Sequence, residues 1–174
     1  MSTRERRKEL LSPNLEYLQT NVFRQPLDDE MKRTVADGLE YYVKNLNLKS
    51  RVKKCKDVSV DSIKESFGVR DTTTWKRIRC IVQSIHEEYV DFHDKSRFTN
   101  LTLILPEHLF RMCHAIILQD SIKQLPQHPN PIMAHAIWLL CNHIEGTRKT
   151  RPTKKQSSRL AAIPAQSLES SSEL

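Results

Sequence analysis

Ten polar residues between positions 49 and 79 carry the chemistry this chain offers most plainly: Lys49, Arg51, Lys53, Lys54, Lys56, Arg70, Thr73, Lys76, Arg77 and Arg79. Nine are cations. A lysine ammonium is a compact point charge and an arginine guanidinium a planar fork of donors, and both match phosphate oxygens. Five of the cations fall within the eight residues Lys49 to Lys56. Thr73, Lys76 and Arg77 follow at i, i+3 and i+4, which on a helix shares one face. Cations so placed bind a polyanion, and a polar helical face beside them is able to meet base edges. These ten residues form the candidate nucleic-acid-binding set.

Other reactive types do not converge in sequence. Cys113, His114, His135, Cys141 and His143 lie in the C-terminal half. Cys141 and His143 are two residues apart and His135 and Cys141 six, spacings that diverge around a helix and depart from paired zinc ligands. Cys113 and Cys141 are better explained as small buried hydrophobes. Three glycines in 174 residues leave no material for a phosphate-cradling loop. No acid pair stands in an apolar segment, where a perturbed general acid would sit. No catalytic residue, metal ligand or cofactor is expected, and no enzymatic activity.

The element that must position the cations is Val58 to Tyr89. Val60, Ile63 and Phe67 have helical spacing, and Ser62 with Glu65 has the form of a capping box. Gly68 supplies the positive φ that ends a helix, and Asp71 or Thr72 caps the next one. There Trp75, Ile78, Val82, Ile85 and Tyr89 make an apolar stripe, opposed by Thr73, Lys76, Arg77, Cys80 and Gln83. The outline is a helix-turn-helix, with one residue more in the turn than the motif usually has. Trp75 is expected in the core, the alternative being an exposed base-stacking platform. Leu101 to Leu105 reads either as a short strand, the wing of a winged helix, or as the start of a helix.

The rest of the chain reads as an all-α protein. Residues 1–27 form a partly helical arm, broken at Ser12-Pro13, with a linker over Thr20 to Leu27. A helix is predicted from Asp29 to Asn47, capped by Asp28, with Met31, Val35, Leu39, Tyr42, Val43 and Leu46 inward. A helix over 107–123, begun at Pro106, and a nearly all-apolar helix over 132–145 with Gly146 as its C-cap complete a domain of 28–146. Residues 147–174, basic and then Ser-rich, are expected to be a disordered tail.

A net charge of +7 and a pI near 9.3 favour an anionic partner. The charged opening MSTRERRKELL is not a secretory signal, and no run is long and apolar enough for a membrane span. Four widely spaced cysteines fit free thiols in a reducing nuclear or cytoplasmic setting. Two functions fit. One is a nucleic-acid-binding helical protein, for DNA or RNA, regulatory or part of a nuclear nucleoprotein assembly. The other is a helical adaptor that binds protein partners through the helices 107–123 and 132–145.

Overall fold

The computed structural model describes residues 2–46, 59–93 and 105–150, the last four by backbone alone. Among them are eight helices and no strand: α1 Thr3–Lys8, α2 Leu15–Asn21, α3 Asp29–Asn45, α4 Val60–Ser66, α5 Thr72–His93, α6 Pro106–Ile117, α7 Asp120–Lys123 and α8 Ile132–Thr150. The basic run Lys49 to Lys56, the strand-or-helix segment 101–104 and residues 151–174 of the tail lie outside the described residues. Leu105 has extended backbone and precedes α6, which has Pro106 in its first turn.

The helices begin where side chains satisfy their open N–H groups. Asp28 accepts from the Met31 N–H at 2.8 Å, and Asn14 from the Tyr17 N–H at 3.0 Å. In α4 the cap is Ser59, which accepts from the Ser62 N–H at 3.1 Å. The box expected from Ser62 and Glu65 does not form, because the helix starts one turn earlier, at Val60, and Ser59 is its cap.

Residues 1–144 form one compact unit, and the described residues from 145 onward belong to a second. In the first, α8 is buried on all sides from Met133 to Cys141. The buried face of α5 packs against α6, and α3 also packs on α6. α3 also reaches α8, where Tyr42 Oη donates to Cys141 Sγ at 3.0 Å. Each fully buried Leu, Ile or Phe in such a core contributes about 1.5–3 kcal/mol from burial.

Four local expectations change. Thr20 to Leu27 is no loose linker: Val22 and Phe23 are buried, and the Phe23 ring meets Tyr89 edge-on at 5.0 Å. Val43 is exposed, because Tyr42 and Leu46 occupy the inward positions at that end of α3. The helix expected over 107–123 is two helices. Buried Gln119 sits at the break, where its Oε1 accepts from the Ser12 N–H at 2.8 Å and its amide donates to the Ala115 carbonyl at 3.2 Å. The Asp120 N–H also donates to the Ser12 carbonyl at 2.7 Å, so the Ser12-Pro13 corner holds the break open. Finally, α8 does not stop at Gly146 but runs to Thr150.

Candidate nucleic-acid interface

The α4–α5 unit is built as its sequence implies at the turn. Gly68 has φ of 70°. Its N–H donates to the Glu65 carbonyl at 3.0 Å and the Val69 N–H to the Lys64 carbonyl at 2.8 Å, the pair of bonds that closes a helix through a left-handed residue. Asp71 then caps α5, its carboxylate accepting from the Thr74 N–H at 2.7 Å and the Thr74 hydroxyl at 2.8 Å. Those bonds hold the Asp71 carboxyl below its ordinary range. The positive end of the α5 dipole is thus filled by the protein's own anion, and phosphate contact there would fall to side chains.

The five described residues of the candidate set sit together at the start of α5. Arg70, Thr73, Lys76, Arg77 and Arg79 are all exposed. None of the four cations among them has an ion-pair or hydrogen-bond partner among the described residues. Cys80 and Gln83, expected on the same open face, are half-buried.

The second half of α5 is closed off. Ile81, Val82, Ser84, Ile85, His86, Glu88 and Tyr89 are buried, and α1 lies against this half. Arg7 Nη2 is 2.5 Å from Glu87 Oε1, Arg4 Nε is 2.7 Å from Glu88 Oε2, and Arg4 also pairs with Asp91. Among the described residues, the open cations of α5 lie on its first two turns, Thr72 to Arg79. They span about 10–12 Å at 1.5 Å per residue, the rise of roughly three base steps. Sequence reasoning missed the covering arm, because pairing across some eighty residues leaves no local signal.

Trp75 is a core residue, 6% exposed, with the Lys64 ammonium 6.0 Å from its ring centroid. Burial removes it as a stacking platform. Behind the open turns, the His86 and His143 rings meet edge-on at 5.0 Å. Burial, followed by the charges of His86, Arg7 and Arg79, pushes the His143 imidazole down to about 4.

Cys113 and Cys141 are buried, and burial pushes the Cys113 thiol far up, so it stays protonated. Among the described residues no three of His, Cys, Asp and Glu converge as metal ligands, and no helix is long and apolar enough to cross a membrane. The partner surface expected on 132–145 is also withdrawn over most of its length, because Met133 to Cys141 is interior. Comparison with protein-family models, curated proteins and solved structures gives no match to this chain.

Proposed function

We propose that the chain is a non-enzymatic nucleic-acid-binding protein, acting on DNA or RNA in a nuclear or cytoplasmic assembly. One observation carries the reading: Arg70, just before α5, and Lys76, Arg77 and Arg79 on its first two turns stand exposed without ion-pair or hydrogen-bond partners among the described residues, while α1 pairs with the other half of α5 through Arg4 and Arg7. Unpaired cations crowded on one surface repel one another, and a row of phosphates relieves that repulsion while releasing counterions.

In this reading α4 and its glycine turn act as the positioning half of a helix-turn-helix, and the N-terminal residues of α5 approach a groove. Thr73, Lys76 and Arg77 meet base edges or the nearest phosphates, and Arg70 and Arg79 contact the backbone on either side. Lys49, Arg51, Lys53, Lys54 and Lys56 precede α4 in sequence and, in this reading, supply further phosphate contacts. A wing from Leu101 to Leu105 would complete a winged helix.

The test is fluorescence anisotropy of the full chain on duplex DNA, single-stranded RNA and double-stranded RNA across a salt series. The wild type is compared with the variant in which Arg70, Lys76, Arg77 and Arg79 are all alanine. Binding to at least one target is expected, with the slope of log affinity against log salt falling by about three to four, at about 0.9 per duplex phosphate contact. No binding at about 50 mM salt, or a slope the variant leaves unchanged, overturns the reading.

A further inference from the structure

A second surface has a different character. A groove of about 640 Å³ runs between α3 and α6. Its α3 wall is Lys32, Val35, Ala36 and Leu39, which recur at i, i+3, i+4 and i+7 and so line about 10 Å of one helix face. Leu105, 53% exposed, stands at the mouth of the opposite wall. Exposed leucines scattered singly need no explanation, but one at the rim of an apolar groove marks a surface that a partner can cover.

The rims carry charge of opposite sign. On the α3 side the Lys32 ammonium is exposed and has no ion pair among the described residues. On the α6 side the Glu107 carboxylate is held loosely, 3.7 Å from Arg111 Nη2 and 3.9 Å from His108 Nε2. Arg111 is committed elsewhere, its Nε donating to the Gln25 carbonyl at 2.8 Å. The groove therefore offers an open cation along one edge and a weakly engaged carboxylate along the other.

We propose that this groove docks an amphipathic helix of a partner protein. The helix lays an apolar stripe on Ala36, Leu39 and Leu105, over a floor that includes buried Val35, with a carboxylate on the flank facing Lys32 and a cation on the flank facing Glu107. A helix matches the two-turn periodicity of the wall, and the opposite rims fix its orientation. The surface uses none of the α5 cations, so it stands or falls apart from nucleic-acid binding.

The experiment selects helix-forming peptides from a display library against the full-length chain, with flanking charges randomised, and measures the selected peptides by anisotropy. Enrichment of an i, i+3 or i+4, i+7 apolar stripe with an acid on one flank and a base on the other is expected. Ala36→Arg drives a long side chain into the groove from an exposed helical position that tolerates arginine, so circular dichroism should be unchanged while affinity falls at least about tenfold. Lys32→Glu should weaken binding by about threefold to tenfold, and a peptide with lysine in place of the facing acid should recover it. The proposal is overturned if no such pattern is enriched, if Ala36→Arg leaves affinity unchanged, or if the charge swap recovers nothing.

Discussion

Gly38 on α3 and Met133 on α8 approach so closely that a methyl group added at Gly38 would lie 2.7 Å from Met133 Cγ. The absence of a side chain there is what lets α3 lie down on the buried helix. Ile137 Cδ1, 3.4 Å from the same point, closes the other side of the contact.

That contact sets two glycines of the fold against each other. In a helix interior alanine is favoured over glycine by about 0.5–1 kcal/mol, whereas overpacking costs about 1–3 kcal/mol. Gly38→Ala should therefore lose about 1 kcal/mol net and Gly38→Leu clearly more. At Gly146, where an added Cβ meets nothing within 4 Å among the described residues, alanine should strengthen the end of α8 by about 0.5–1 kcal/mol. Urea denaturation reads the first pair and amide exchange along α8 the second. A stabilised Gly38→Ala would mean that α3 and α8 pack more loosely than the geometry shows.

Trp138 is fully buried on α8, and its indole N–H has no hydrogen-bond partner among the described residues. Trp138→Ala removes the ring and leaves a cavity, at a cost of about 3–5 kcal/mol. Trp138→Phe keeps most of the volume and deletes the unsatisfied donor, so its cost should be only about 1 kcal/mol. Chemical denaturation of both variants makes the comparison. Equal losses would show that the indole N–H is satisfied in solution.

Much of this was written locally. Asp28, Gly68 and Asp71 act at helix ends, within a few residues of the groups they satisfy. The apolar run Ile132 to Ile144 had no polar face to expose, so its interior position could be read directly. Val22 and Phe23 were hidden inside a stretch that has turn-like composition, because the rings that meet Phe23 are Tyr89 and Phe92, about seventy residues away. Gln119 breaks a helix-compatible sequence through bonds to Ser12, and no periodicity records that. The candidate interface was half legible for the same reason. Its exposed cations follow from helical spacing, but its far limit is set by Arg4 and Arg7 crossing from the N-terminus.

Acid should weaken the fold through His143. Its folded value of about 4 lies below the ordinary 6.5, because burial penalises the charged ring and His86, Arg7 and Arg79 add to the penalty. Above pH 6.5 both folded and unfolded states keep the ring neutral. Below it the unfolded chain takes the proton first, so stability is lost as pH falls from about 6.5 toward 4, up to about 3 kcal/mol. His114 and His135, both lowered chiefly by burial, act in the same direction. Urea midpoints between pH 7.5 and 4.5 (roughly the window the linkage relation defines) should fall for the wild type and fall less for His143→Gln. Parallel profiles would remove His143 as the cause.

The paired and unpaired cations around α5 should separate stability from binding. Lys76 and Arg77 are exposed and touch no described charge, so replacing both with alanine should leave the denaturation midpoint nearly unchanged, within about 0.5 kcal/mol. If they contact phosphate, the same change should flatten the salt slope by about two. Arg4 and Arg7 should behave in the opposite way. Arg4 pairs with Glu88, whose side chain is only 7% exposed, and Arg7 with Glu87. Removing both arginines leaves a buried carboxylate without its cation and frees α1 from α5. Because Arg4 itself is 41% exposed, solvent screens part of that loss, and about 1–3 kcal/mol is expected. The salt slope should stay as it was, since neither arginine belongs to the open turns. Anisotropy titrations and urea curves on the two double variants, run side by side, give four numbers with a crossed pattern. A slope that falls equally in both variants would mean that binding follows total charge rather than the open turns of α5, and the assignment of Arg70, Lys76, Arg77 and Arg79 as the interface would be lost.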